Sequence, residues 1–285
     1  MDVPVQRVVR PRSLDEALVM LAEQPRSRPI AGGTDLMVQL RDGRRSADTL
    51  VDLDGLDLAG VHEVDLGVEI GAATTMDAIA RHPLVRRRWP ALAEAAALVG
   101  AWPIQCRATL GGNLANASPA ADAVPPLLVA DAAVRVASPS GKRSIPLEQF
   151  FRGPGATVMA PGELIVAVIL PAPSAGRVVE RFVKVGPRRE QIISMVSLAG
   201  RAVMSADSTL HDVRVALGAV APTPVRARRV EAHLEGRCPD AATRREAAER
   251  LQADIAPIDD LRAPAAYRRI AAAVLLDRFL EACNG

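Results

Sequence analysis

Aromatic side chains are scarce in this chain of 285 residues: four Phe, two Trp and one Tyr. A stacking platform for single-stranded bases gathers several in one place, so that class is excluded and the core must be built from Val, Leu, Ile and Ala. Cysteine is equally sparse. Cys106, Cys238 and Cys283 lie far apart with no C-x-x-C pair. That excludes a zinc ribbon, a disulfide framework and a four-cysteine iron–sulfur cluster held by this chain alone, and reduced thiols in the cytoplasm are the expectation. Neither sign of charge dominates: 35 Lys and Arg against 33 Asp and Glu give a net +2, without the basic footprint of a nucleic-acid binder. No uncharged apolar run reaches the roughly 18 residues of a membrane span. The first twenty residues carry Arg, Asp and Glu and no signal-peptide core. His62, His82, His211 and His233 are never at ligand spacing.

Familiar nucleotide and hydrolase motifs are missing too. Gly153-Pro154-Gly155 runs on to Val158 where the Rossmann fingerprint requires glycine. Gly141-Lys142 lacks the upstream glycine and the Ser or Thr of a P-loop, and no G-x-S-x-G exists.

What is present reads as mixed helix and strand. Ser13 opens S-L-D-E, a capping-box pattern before an amphipathic stretch over Leu14–Ala22. A strand over Arg28–Ala31, a helix from Asp35 to Arg41 and a strand over Leu50–Leu53 form a small β-turn-α-β unit. Residues 60–71 read as a hairpin around Asp65-Leu66-Gly67. Thr74 or Thr75 caps a helix through Arg81 that Pro83 ends, and Pro90 starts another that Gly100 closes. Residues 101–131 read as loop-rich, with a helix over Pro126–Asp131. A second hairpin joins Val134–Ala137 to Arg143–Ile145, and Leu164–Leu170 is a further strand. Pro171–Gly176 is the best linker. Beyond it, strands over Val178–Val185, Ile192–Met204 and Asp212–Val220 precede helices at Pro224–Leu234, Asp240–Ala253 and Pro264–Ala282, an α+β arrangement. Arg226, Arg228, Arg229, Arg244 and Arg245 are read as a solvated helix face, with a docking surface as the alternative.

Two glycine-pair segments carry the chemistry. In Ile30-Ala31-Gly32-Gly33-Thr34-Asp35-Leu36, glycines at a strand end let the backbone approach a ligand, and successive N–H groups suit phosphate oxygens. A purely structural turn accounts for the pattern as well. Asp35 is awkward beside an anion and is assigned to capping the helix through its carboxylate. In the second segment, 109–122, two glycines stand with Thr109, Asn113, Asn116, Ser118 and Asp122. Such polar density needs partners, from a polyphosphate and sugar ligand or from solvent.

Together, AGGTDLMVQLRDG and TLGGNLANASPAAD resemble the FAD-binding medium subunit of the molybdenum hydroxylases, the family of xanthine dehydrogenase and aerobic carbon monoxide dehydrogenase. ELIVAVILP, RFVKVGPRRE, DVRVALGAVAPTPVRARRVEAHLEG and YRRIAAAVLLDRFLEA follow in the family's order, so the resemblance spans nearly the whole chain. It implies an α+β fold: a two-lobed FAD-binding domain of the PCMH (vanillyl-alcohol-oxidase-like) type over 1–172, with lobes of about 1–55 and 56–172. A C-terminal domain over 177–285 would carry a three-stranded sheet with a helical layer. It further implies that Pro29, Ile30, Ala31, Gly32, Gly33, Thr34, Asp35 and Leu36 wrap the FAD diphosphate. Thr109, Leu110, Gly111, Gly112 and Asn113 would form a second phosphate-binding turn. Asp122 would bind polar groups of the nucleotide half, Ile165 would pack on the cofactor and Lys184 would contact it. Departures are Val99, where some members have an aromatic, Gln191, where some have an acidic residue after Arg-Arg-Glu, and the lack of a flavin-facing tyrosine, since Tyr267 lies in the last helix.

The resemblance implies an oxidoreductase subunit without a catalytic acid or base of its own. A [2Fe–2S] small subunit would feed electrons to FAD, and a large subunit with the molybdenum cofactor would hydroxylate the substrate, in a dimer of heterotrimers. The alternatives are a stand-alone FAD-dependent oxidoreductase and a flavin-free scaffold of the same fold.

Overall fold

The computed structural model describes residues 5–65, 67–188 and 191–284. The N-terminal unit comprises β1 (Arg7–Val9), α1 (Leu14–Glu23), β2 (Ser27–Ile30), α2 (Leu36–Arg41) and β3 (Thr49–Asp52). Its three strands are parallel in the order β1-β3-β2, so β2 is an edge. Ser13 Oγ accepts from Glu16 N at 3.2 Å, and the Glu16 carboxylate accepts from Arg12 N, so the capping pattern forms one residue early on its return arm. Ala17, Leu18 and Leu21 on α1 are buried against Val51 and Leu53.

The central unit begins with the hairpin β4 (Val61–Val64) and β5 (Gly67–Gly71); Leu66 of its expected turn lies outside the described residues. Helices α3 (Met76–Arg81), α4 (Pro83–Arg88), α5 (Pro90–Ala97), α6 (Trp102–Gln105), α7 (Leu110–Asn116) and α8 (Val124–Val129) follow. Thr75, not Thr74, caps α3, accepting from Ala78 N. Pro83 starts α4 rather than merely ending α3, because proline at the first helical position gives up only an N–H that would be unpaired anyway. The expected loop region 101–131 is thus largely helical. Then come β6 (Ala133–Ser138), β7 (Gly141–Pro146), a single 3-10 turn, β8 (Phe151–Gly153), β9 (Ala156–Thr157) and β10 (Leu164–Pro171). The main sheet is antiparallel, β4-β5-β10-β6-β7. Its helices bury Trp89, Phe150, Leu92 and Leu127 against it.

The C-terminal unit has β11 (Arg177–Val185), β12 (Val196–Met204), β13 (Leu210–Gly218) and β14 (Val225–Arg226), then α9 (Arg228–Leu234), α10 (Ala241–Leu251) and α11 (Ala265–Asn284). The three long strands are present as expected, but β12 starts at Val196 rather than Ile192, β13 spans Leu210–Gly218 rather than Asp212–Val220, and a fourth strand extends the expected three-stranded sheet. The two-residue β14 was hidden because Val225 and Arg226 also fit the start of the following helix. Both faces of this sheet are covered, which explains why every residue of β12 except the partly buried Val203 is buried. Leu198, Val215 and Leu217 face α11 with Leu276 and Phe279. Phe182, Ala199 and Ala216 join the central core. A side chain at Gly200 would stand 2.6 Å from the Phe279 ring, so only glycine lets α11 lie this close.

On the face toward the central unit, Glu180 and Arg201 are cross-strand neighbours, buried and paired at 2.7 Å. Glu180 also accepts from Ala91 N in the first turn of α5. Burial pushes its carboxyl up against the pull of Arg201. Arg226 is not on a solvated face: it is buried and bonds Glu231 and, across the boundary, Asp131. Arg228 pairs with Glu148. These bonds fix how the C-terminal unit sits on the central one.

Candidate functional site

The three units meet around one cavity of about 690 Å³. The N-terminal unit lines it with residues 28–36, Gln39 and Arg45. The central unit contributes Val99, Ile104, Thr109, Gly112, Asn113, Asn116 and 118–122 among others. The C-terminal unit supplies 191–194, Ala219, Asp260 and Arg268 among others.

The first glycine pair follows edge strand β2. Gly33 has φ +72, a conformation that favours glycine. The backbone N–H groups of Gly32, Gly33, Thr34 and Asp35 donate to no acceptor among the described residues. Successive free amides in a tight bend form a concave anion site. Gly32 is required for another reason: a Cβ there would lie 1.8 Å from the Arg107 carbonyl oxygen, just before the second glycine segment. The two segments therefore touch. Asp35 corrects the expectation, since it occupies the capping position without a side-chain bond to the helix. Partial burial pushes its carboxyl up, opposed by Arg44 and Arg45. Backbone bonds from Met37 N to Gly33 O and from Gln39 N to Asp35 O secure α2 instead.

The second segment is a helix, not a turn. Thr109 caps α7, with Oγ1 accepting from Gly112 N at 3.1 Å. Leu110 N donates to Thr74 O, Gly111 N to Ala72 O and Asn113 N to Thr109 O. The amides of Leu110, Gly111, Gly112 and Asn113, four of the five residues expected to form a phosphate-binding turn, are thus satisfied within the chain. Thr109, Gly112 and Asn113 line the cavity, whereas Leu110 and Gly111 are buried behind it. Asn113 Oδ1 is buried and has no hydrogen-bond partner among the described residues. Thr109→Ala is expected to lower stability by about 1 kcal/mol, the usual loss of a threonine cap, read as a fall in thermal midpoint.

Asp122 lines the cavity, but its carboxylate is held from behind. Lys184 Nζ lies 2.7 Å from Oδ2 and Ser194 Oγ 2.6 Å from Oδ1. Burial pushes the Asp122 carboxyl up, opposed first by the charge of Lys184 and then by the hydrogen bonds from Lys184 and Ser194. Lys184 also donates to Leu98 O and Ile192 O, so its ammonium is engaged by protein and the residue is not part of the lining. Ile165, on β10, packs in the central core and does not line the cavity either.

Val99 and Gln191, the two departures from family pattern, both face the cavity; Arg189 and Glu190 lie outside the described residues. Sequence reading missed Arg268. This buried arginine on α11 donates to Met195 O, Ala219 O and Asp260 Oδ1, each at 2.7 Å, and so gathers three cavity-wall segments. Its signal was a charge at the apolar start of the last helix. Ser194 gave no signal: it read as part of a strand that begins only at Val196.

Residues 4–173 match the family model described as FAD binding domain in molybdopterin dehydrogenase, and 181–283 match the CO dehydrogenase flavoprotein C-terminal domain. A putative xanthine dehydrogenase FAD-binding subunit of Escherichia coli (strain K12) is 30% identical over 261 residues, 91% of this chain and 89% of that one. The glyceraldehyde dehydrogenase medium chain of Sulfolobus acidocaldarius is 31% identical over 268 residues, 94% of each chain. Among solved structures, a chain of the Cu,Mo-CO dehydrogenase superposes with TM-score 0.95 at 29% identity, covering 99% of both chains. Quinoline 2-oxidoreductase from Pseudomonas putida 86 gives 0.93 at 29%, covering 100% of this chain and 99% of that one.

Proposed function

Because this chain belongs to the family of FAD-binding subunits of the molybdenum hydroxylases, we propose that it is the electron-transferring flavoprotein subunit of such a complex. In this reading it takes electrons from a [2Fe–2S] small subunit and passes them to an external acceptor, while a large subunit with the molybdenum cofactor hydroxylates the substrate. The assembly is a cytoplasmic dimer of heterotrimers. Among the described residues no helix is long and apolar enough to cross a membrane. Three scattered cysteines cannot hold a relay cluster, which suits delegation of that task to a partner.

One observation carries the reading: four consecutive amides at 32–35, without an acceptor among the described residues, belong to the wall of a cavity bounded by all three units. These donors fit a diphosphate, and the unpartnered Asn113 Oδ1 fits a sugar or ribityl hydroxyl beside it. FAD supplies the redox chemistry when bound; the chain supplies binding, orientation and exclusion of water. The residues 29–36 hold the diphosphate. Thr109, Gly112 and Asn113 face the ligand, while Leu110 and Gly111 back them. Asp122 presents an acceptor to ligand hydroxyls. Lys184 acts through Asp122 and the 192–194 wall, and Ile165 supports the floor from the core. The same reading divides the chain near 172–177 into an FAD-binding domain and a C-terminal domain.

Purified protein is expected to be yellow, with about one FAD per chain by absorbance after acid release, in keeping with a preformed cofactor site. A colourless chain that FAD cannot reconstitute would overturn the assignment and favour the scaffold alternative. Bleaching of the isolated chain's flavin by an organic substrate would favour the stand-alone enzyme. Affinity capture of the native complex should bring molybdenum, iron and two further subunit types.

A further inference from the structure

At one point the N-terminal and central units join hands across the cavity. Gln39, on α2, donates from Nε2 to Asn116 Oδ1, at the end of α7, at 2.8 Å. Both residues line the cavity. A single bond between two carboxamides leaves an acceptor on one and a donor on the other. Here these are Gln39 Oε1 and Asn116 Nδ2, and neither has another partner among the described residues. Exchanging oxygen and nitrogen in both amides changes which residue donates but still leaves one donor and one acceptor. Such a pair matches the edge of adenine, whose 6-amino group donates beside a ring nitrogen that accepts.

The spacing agrees with that match. Gln39 lies four residues beyond Asp35, the last of the open amides, which is about 6 Å along a helix and leaves room for a ribose between diphosphate and base. We propose that the Gln39–Asn116 amide pair reads the adenine edge of FAD and so makes the cavity prefer the dinucleotide over FMN. This rests on the reading that the cavity holds FAD. The pair thus has two tasks, tying the units together and recognising the base, and a substitution can separate them. In Gln39→Glu the carboxylate can only accept, so the Asn116 amide turns over to donate from Nδ2 in place of accepting from Gln39 Nε2, and the tie across the cavity persists. What then faces the base is two acceptors, and the ring nitrogen loses its donor.

The test uses full-length apoprotein prepared by removing flavin, titrated with FAD and with FMN and followed by flavin fluorescence. Gln39→Glu and Asn116→Leu are expected to bind FAD roughly ten- to hundredfold more weakly, the scale of one lost bidentate base contact, with FMN affinity unchanged. Wild-type FAD affinity in Gln39→Glu would overturn the proposal. So would an equal loss of FAD and FMN affinity, which would reduce the pair to a tie between units. If wild-type apoprotein takes up neither flavin, the cofactor reading itself fails and this proposal falls with it. Thermal midpoints within a few degrees of wild type confirm that the variants are folded.

Discussion

Gly32→Ala is expected to yield a folded, colourless protein. The added methyl would sit 1.8 Å from the Arg107 carbonyl oxygen and 2.5 Å from its carbon. Backbone atoms cannot swing aside as the tip of a side chain does, so one glycine segment must retreat from the other. Overpacking of this kind costs roughly 1–3 kcal/mol, and every 1.4 kcal/mol is about a factor of ten in affinity. If that strain is relieved by moving the free amides of 32–35, FAD affinity falls about ten- to hundredfold. The C-terminal core, built from its own sheet and α11, lies elsewhere and keeps its cooperative unfolding. Gly153→Ala is the matched control, since a Cβ there meets nothing within 4 Å and its φ is ordinary. FAD occupancy after gel filtration decides the matter. Equal occupancy in Gly32→Ala and wild type would mean that contact between the two segments does not shape the site.

Much of this architecture is legible in the residues, and the failures have identifiable causes. At the first glycine pair the local strand, bend and helix are legible because they follow one another within a few residues and need no distant partner. The second misleads. Two glycines lower helix propensity by about 1 kcal/mol each, so Leu110–Asn116 looks like a turn. Tertiary contacts overrule that preference: Leu110 and Leu114 are fully buried, and Gly111 is a glycine because its Cβ would stand 2.7 Å from that of Ala72. Gly111→Val is accordingly expected to disturb the core before it disturbs a ligand. Distance along the chain hides the rest. Nothing in the sequence links Asp122 to Lys184, 62 residues on, or Gln39 to Asn116, 77 residues on. Arg226 reads as one of several surface arginines, yet it is buried against Asp131 of the neighbouring unit.

The Asp122–Lys184 pair yields the other large effect, and its pH dependence identifies the cause. Both side chains are nearly inaccessible, at 8% and 4% exposure. Lys184→Met keeps the length of the side chain and removes its charge, leaving the carboxylate with Ser194 alone. Breaking a buried ion pair from one side costs roughly 3–5 kcal/mol, so this variant should lose a large part of the stability of an ordinary domain at neutral pH. Burial already pushes the Asp122 carboxyl above its ordinary value, and Lys184 is the strongest influence holding it down. Without Lys184 it rises further. A carboxyl with a raised folded-state pKa favours the fold fully below its unfolded value, and that contribution is lost as pH climbs through the folded value. The variant is therefore at its worst in alkaline buffer and recovers on acidification as Asp122 takes up a proton. Urea denaturation should show the gap to wild type narrowing from pH 8 to pH 5, by up to about 1.4 kcal/mol per pH unit within the titration window. Adding Asp122→Asn to Lys184→Met removes the stranded charge, and the gap should then shrink and become flat with pH. A gap that is constant across this range in the single variant would show that Lys184 stabilises the fold through Leu98 O and Ile192 O rather than through Asp122.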